Sequence, residues 1–150
     1  MTDYDDDLDA ADGDEPDIDP PEADESVSGD AGLFFGSVDE FVREQLIEEY
    51  RRVVGPSGRA HRRWAAEWWR YPEAVSRLEA IWRAWEHLRQ DGATGSSVWW
   101  RDHLDPHMAV LMDVEGPFAD SKDQNDPGEK LPYTAPPAGL FPDVRLTDAG

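Results

Sequence analysis

Apolar side chains recur at helical intervals through the middle of this chain, while both ends lack such a pattern. Val38, Val42, Leu46, Tyr50 and Val53 follow one another at three- and four-residue steps, the period of one helix face. Ser37 stands where a cap belongs, and Glu40 follows three residues on to reciprocate. The pattern predicts an amphipathic helix of about 17 residues, stopped at Gly55-Pro56, because proline cannot continue the ladder. A second helix is predicted over 59–70, where Trp64 and Trp68, and Ala65 and Trp69, lie four apart. Tyr71-Pro72 closes it. Pro72 then opens a third helix with Val75, Leu78, Trp82 and Trp85 on one stripe, widened by Ile81 and Leu88 and ended near Gly92. Glu73 to Arg77 and Glu79 to Arg83 place an acid four residues before a base on its wet side.

Beyond Gly92 the pattern weakens. Ser96 or Ser97 is read as capping a short turn through Val98-Trp99-Trp100-Arg101, and Asp105-Pro106 as interrupting it. The apolar run from His107 to Met112 fits either a strand or the start of a helix, and strand is the reading taken. From residue 119 onward Pro127, Pro132, Pro136, Pro137 and Pro142 favour extended, mobile chain, with Leu131-Pro132-Tyr133 and Leu140-Phe141-Pro142 as candidates for local docking. The organisation expected is an acidic disordered tail over 1–36, a mainly α domain of three to four helices over 37–118 with a possible short strand or hairpin near 107–118, and a Pro/Gly-rich, mostly disordered tail over 119–150.

Charge sharpens that division. Of 34 acids and 14 bases among 150 residues, residues 1–31 hold 14 acids and no base. Carboxylate repulsion and scattered apolar side chains leave such a segment too little burial to offset its ordering entropy. A net charge of −20 argues against a dedicated nucleic-acid coat, since neutralising phosphate needs a basic surface. The absence of cysteine removes disulfides, thiolate zinc sites and cysteine nucleophiles. The opening residues are acidic where a signal peptide is basic, and no apolar run reaches the length of a membrane helix. The expectation is a cytoplasmic protein without a membrane partner.

Seven tryptophans fall between residues 64 and 100: Trp64, Trp68, Trp69, Trp82, Trp85, Trp99 and Trp100. A domain of about 80 residues is close to the size at which one core barely offsets chain entropy, and burying five indoles removes on the order of 1,000 Å² from water. Most of them are therefore expected in the core. Neighbours on a helix point about 100° apart, so one member each of Trp68-Trp69 and Trp99-Trp100 is a candidate to face a partner. Between Arg51 and Arg70 six arginines accompany a single acid, Glu67. Arg59, Arg62, Arg63 and Arg70 are read as an anion-facing set on the second helix, because the guanidinium fork matches phosphate and carboxylate. Pairing within the domain, the acidic tail, nucleic acid, or an acidic protein would each answer it.

Candidate chemistry is sparse. Asp102, His103, Asp105 and His107 crowd together, with the histidines four apart as on a zinc-binding helix, but Pro106 lies between them. No nucleophile elbow, phosphate loop or dinucleotide fingerprint is present. Non-catalytic binding, without a cofactor, is the expected activity. A protein partner is preferred to nucleic acid because the overall charge repels DNA. A metal-dependent enzyme around Asp102, His103 and His107 is the remaining alternative.

Arg63-Trp64, Trp68-Trp69-Arg70, Ser76 through Arg89, Val98-Trp99-Trp100-Arg101-Asp102-His103, Asp105 through Leu111 and Gly116-Pro117-Phe118 together resemble an actinobacterial family known as domain of unknown function 4913, over roughly residues 38–118. The resemblance implies no activity, cofactor or catalytic residue. It does imply an accessory protein of plasmids, phages or integrating elements, and so a partner-recruiting or DNA-transaction role.

Overall fold

The computed structural model describes residues 32–149, with side chains through residue 146. Helix α1 comprises Val38–Phe41, a π-helical stretch Val42–Leu46 and a last turn Ile47–Glu49. Ser37 Oγ accepts from the Glu40 amide at 3.1 Å, as expected of the cap, whereas Glu40 Oε1 accepts from the Gly36 amide at 2.8 Å, one residue ahead of the N-cap Ser37 whose amide it was expected to take. The helix is shorter than predicted. Tyr50 leaves it at φ −99°, ψ 78°, and the chain runs on extended, so Val54 is buried in place of Val53.

The second predicted helix does not form. Residues 59–67 are irregular, and the one regular turn is a 3₁₀ turn at Trp68–Arg70. Their backbone bonds go elsewhere: the Gly55 amide donates to Arg62 O at 3.1 Å and the Arg63 amide to Met112 O at 3.0 Å. Four-residue spacing of indoles served tertiary anchoring rather than a helix face, and clustered arginines gave the helix no electrostatic support.

Helix α2, Pro72–Leu88, matches the third prediction in place and in face. Ala74, Leu78, Ile81 and Trp82 are buried, and the Glu73–Arg77 and Glu79–Arg83 pairs form at 2.9 and 3.9 Å. Helix α3 runs through Gly95–Val98, a π-helical stretch Trp99–Leu104 and Asp105–Leu111. It overturns two expectations: Pro106 does not interrupt it, and 107–112 is helix rather than strand. The physical reason lies in the widened turn. The Asp105 amide reaches back to Trp100 O, and Pro106 begins the α-helical segment that follows, where its missing N–H leaves no ladder bond broken.

The segment after 119 is irregular, as its prolines require, but over 119–146 it is packed against the helices. It straps the helices. The Leu131 amide donates to Ile47 O at 3.3 Å and the Thr134 amide to Ala66 O at 3.1 Å. Asn125, itself buried, accepts from the Val54 amide at 3.0 Å and donates to Arg52 O at 3.0 Å. A final helix α4, Val144–Ala149, is held where the Val144 amide meets Gly36 O at 2.9 Å. The core of this mainly α domain gathers Phe41, Leu46, Trp64, Trp68, Leu78, Trp82, Trp99, Met108, Phe118 and Leu131. None of the described helices is long and apolar enough to cross a membrane. Of the tail expected to be disordered over 1–36, residues 1–31 lie outside the described residues, whereas 32–36 are described and Phe35 is buried in the core.

Candidate anionic-partner site

Trp64, Trp68, Trp82 and Trp99 are buried, whereas Trp69, Trp85 and Trp100 are partly so and pack against the core. Each adjacent pair therefore splits into an inner and an outer ring. The outer members are not bare. Trp69 Nε1 donates to Thr134 O at 2.9 Å, alongside Trp64 Nε1 to Pro132 O at 2.9 Å, so both indoles pin the strap. Trp100 stacks on Tyr50, with ring centroids 5.9 Å apart and planes inclined by 26°.

The arginines sort by what they touch. Arg59 Nη2 lies 2.8 Å from Asp126 Oδ1 and also donates to Asn125 O. Arg70 pairs with Glu67 at 2.7 Å and lies over Trp69. Arg63 is buried, with Nη1 donating to Gly55 O and Ala60 O and Nη2 to Ser57 Oγ. Without a helix over 59–67, the contiguous basic face expected of Arg59, Arg62, Arg63 and Arg70 does not exist. Arg43, Arg51, Arg77, Arg83, Arg89, Arg101 and Arg145 each lie against a carboxylate. Among the described residues Arg52, Arg62 and Arg63 are the arginines with no such partner.

Two of these three act on one tyrosine, Arg52 by contact and Arg62 through its charge. The Arg52 guanidinium carbon sits 3.9 Å from the centroid of Tyr50, a cation–π contact, with Trp100 packed on the same tyrosine. Burial pushes the Tyr50 hydroxyl above its ordinary pKa; the charges of Arg52 and Arg62 oppose that rise and Asp105 adds to it. The buried Tyr50 and partly buried Trp100 thus form an aromatic shelf with Arg52 against the ring and the exposed Arg62 within electrostatic reach, neither cation pairing with a described carboxylate. The end of α1 supplies Tyr50 and the π stretch of α3 supplies Trp100. Arg52 and Tyr50 were missed from sequence, since their juxtaposition depends on where α1 stops.

The acid–histidine cluster does not assemble as a metal centre. Asp102 receives Arg101 through both oxygens, at 2.7 and 3.0 Å. His107 Nδ1 faces Arg77 Nη1 at 3.0 Å, and burial followed by the Arg77 and His103 charges lowers its pKa. No group of three or more His, Asp or Glu suited to a metal ion occurs among the described residues.

These features define a small tryptophan-rich, mainly α-helical domain, closed by its own C-terminal strap and carrying a cation-edged aromatic shelf. The chain belongs to the family described as a domain of unknown function (DUF4913), whose model matches residues 35–139. That match takes in helices α1 to α3 and most of the strap, and ends before α4. No curated protein and no solved structure matches the chain.

Proposed function

We propose that this domain is a non-catalytic binding module whose Arg52–Tyr50–Trp100–Arg62 shelf receives an acidic segment of a partner protein, in the manner of an adaptor or accessory protein. The observation that carries this reading is selective. Nine of the twelve arginines lie against carboxylates, yet the two beside the aromatic stack pair with none of the described ones. Aromatic and arginine side chains together make the anchors of protein interfaces. Two guanidinium groups without a described carboxylate partner are too few to carry a nucleic-acid backbone against a net charge of −20. An accessory role on an actinobacterial mobile element accords with the resemblance of its motifs, and a cytoplasmic setting with its acidic, cysteine-free composition. The acidic residues 1–31 can compete for the same shelf at high local concentration.

The test titrates a Glu/Asp-rich peptide and a single-stranded oligothymidylate separately into the full chain and into R52E/R62E, following indole fluorescence. Salt-sensitive binding of the peptide, lost in the charge-reversed variant, is expected. Binding of the oligonucleotide alone would replace the partner class, and peptide binding undiminished by R52E/R62E would sink the site. Removal of residues 1–31 is expected to strengthen the peptide signal.

A further inference from the structure

Arg63 is 7 % exposed, and it pairs with no described carboxylate. Its partners are neutral: Gly55 O at 2.6 Å, Ala60 O at 3.4 Å and Ser57 Oγ at 3.1 Å. A desolvated cation normally brings its counter-charge with it, because leaving it alone is costly. Here none of the described carboxylates fills that role. Three of the five guanidinium N–H donors are engaged, by both hydrogens of Nη1 and one of Nη2. The Nε–H has no acceptor among the described residues and keeps contact with solvent, and one Nη2 hydrogen is left unengaged.

The same side chain lines a cleft of about 300 Å³, together with Ser57, Arg59, His61 and Val114. The cleft is shaped by a tight turn. The Arg59 and Ala60 amides both return to Pro56 O, at 2.9 and 3.2 Å, and Gly58 sits at φ +87°, where a side chain would be strained. Gly55 lies so close to the Arg59 stem that a Cβ there would stand 2.6 Å from Cγ. Arg59 is thereby held at the cleft, and its one carboxylate partner, Asp126, is 70 % exposed and free to exchange.

We infer that this cleft is a phosphoryl-binding site: the open donor edge of Arg63 takes two oxygens of a phosphate group, with Arg59, His61 and Ser57 around the remaining ones. A guanidinium edge matches two oxygens of a tetrahedral oxyanion, and the dianion supplies the charge that buried Arg63 lacks. None of the shelf residues belongs to the cleft, so this site stands apart from the acidic-partner reading.

Phosphorus NMR on the full chain, at constant ionic strength in chloride, provides the test, with inorganic phosphate in one arm and phosphoserine in the other. Saturable broadening is expected in at least one arm, and the stronger arm tells whether the group is taken free or carried on a side chain. V114E places a carboxylate at an exposed position on the cleft rim and is expected to weaken binding by about tenfold or more. R63K, which keeps the charge and loses the fork, is expected to do likewise, and V114E decides alone if R63K does not fold. R52E/R62E is expected to bind phosphate as the parent does. Absence of saturable binding in both arms, or full binding by V114E, or loss in R52E/R62E alone, would overturn the assignment.

Discussion

Phe141 lies stacked on Trp68, with ring centroids 5.5 Å apart and planes inclined by 24°. The indole beneath is fully buried, and its Nε1 is the one buried side-chain donor without an acceptor among the described residues. An unmet donor costs free energy, so the face-to-face contact above it has to supply what hydrogen bonding does not. F141A is expected to destabilise the fold by about 1–3 kcal/mol, below the full cost of a deeply buried phenylalanine because Phe141 keeps some exposure. Urea denaturation followed by tryptophan emission reads it, with a red shift in the native baseline as Trp68 becomes wetted. An unchanged midpoint and baseline would show that the strap beyond 139 contributes nothing to closing the core.

Glu86 presents a buried carboxylate to four donors. Oε1 accepts from the Phe34 amide at 2.8 Å and from Arg89 Nε at 3.1 Å, and Oε2 accepts from the Phe35 amide at 2.8 Å and Trp82 Nε1 at 3.0 Å. E86Q turns one oxygen into a donor facing donors and removes the charge opposite Arg89. A loss of about 2–4 kcal/mol is expected, with hydrogen exchange at the Phe34 and Phe35 amides accelerated more than at α2. Uniform acceleration instead would mean that Glu86 does not specifically hold the chain ahead of α1.

Alkaline pH tests the contact between the strap and α1. Tyr133 donates to Asp39 Oδ1 at 2.6 Å, and burial, reinforced by that bond and the Asp39 charge, pushes its pKa up to about 12. An unfolded tyrosine titrates near 10. Because folding raises the value, the stability it brings is fully present below pH ~10 and is lost as pH rises through about 12. Y133F is expected to be less stable than the parent at pH 7, with the difference shrinking above pH ~10. A difference independent of pH from ~7 to ~12, a range that spans the titration, would remove the tyrosine from the account.

Gly95 admits α3 beside the end of α2. A Cβ there would overlap the Leu88 carbonyl oxygen, and backbone cannot swing aside as a long side chain can. G95A is expected to cost about 3 kcal/mol despite the better helix propensity of alanine. Thermal melts of G95A and G92A separate the two effects, since nothing lies within 4 Å of a Cβ at Gly92. Equal melting temperatures would mean that the two helices can part without penalty.

How far the sequence carried this reading depends on whether the forces were local. Helix α2 was legible because its stripe, its opening proline and its acid-before-base pairs all lie within the helix itself. The Ser37–Glu40 cap was legible for the same reason. The second helix was misread because Trp64 and Trp68 repeat at helical spacing while their contacts are remote: Trp64 reaches Pro132 and Trp68 reaches Phe141. Pro106 was misread because a π turn upstream, invisible in residue type, had already displaced the ladder. The prolines after 119 correctly excluded a long helix there, but they concealed the anchors Leu131, Tyr133 and Phe141 that seat the strap. For the shelf, Trp100 and Arg62 were found in sequence as exposed-ring and cation candidates. Arg59, Arg63 and Arg70 were grouped with them only through the absent helix.

The strap also has a bearing on how the chain is made. Trp64, Trp68 and Trp69 are translated long before Pro132, Thr134 and Phe141, which complete their surroundings. A nascent chain emerging from the ribosome therefore shows sticky rings until residues 132–141 clear the exit tunnel. Over that interval partially exposed apolar surface invites aggregation, and its synthesis is the moment at which a chaperone has most to protect.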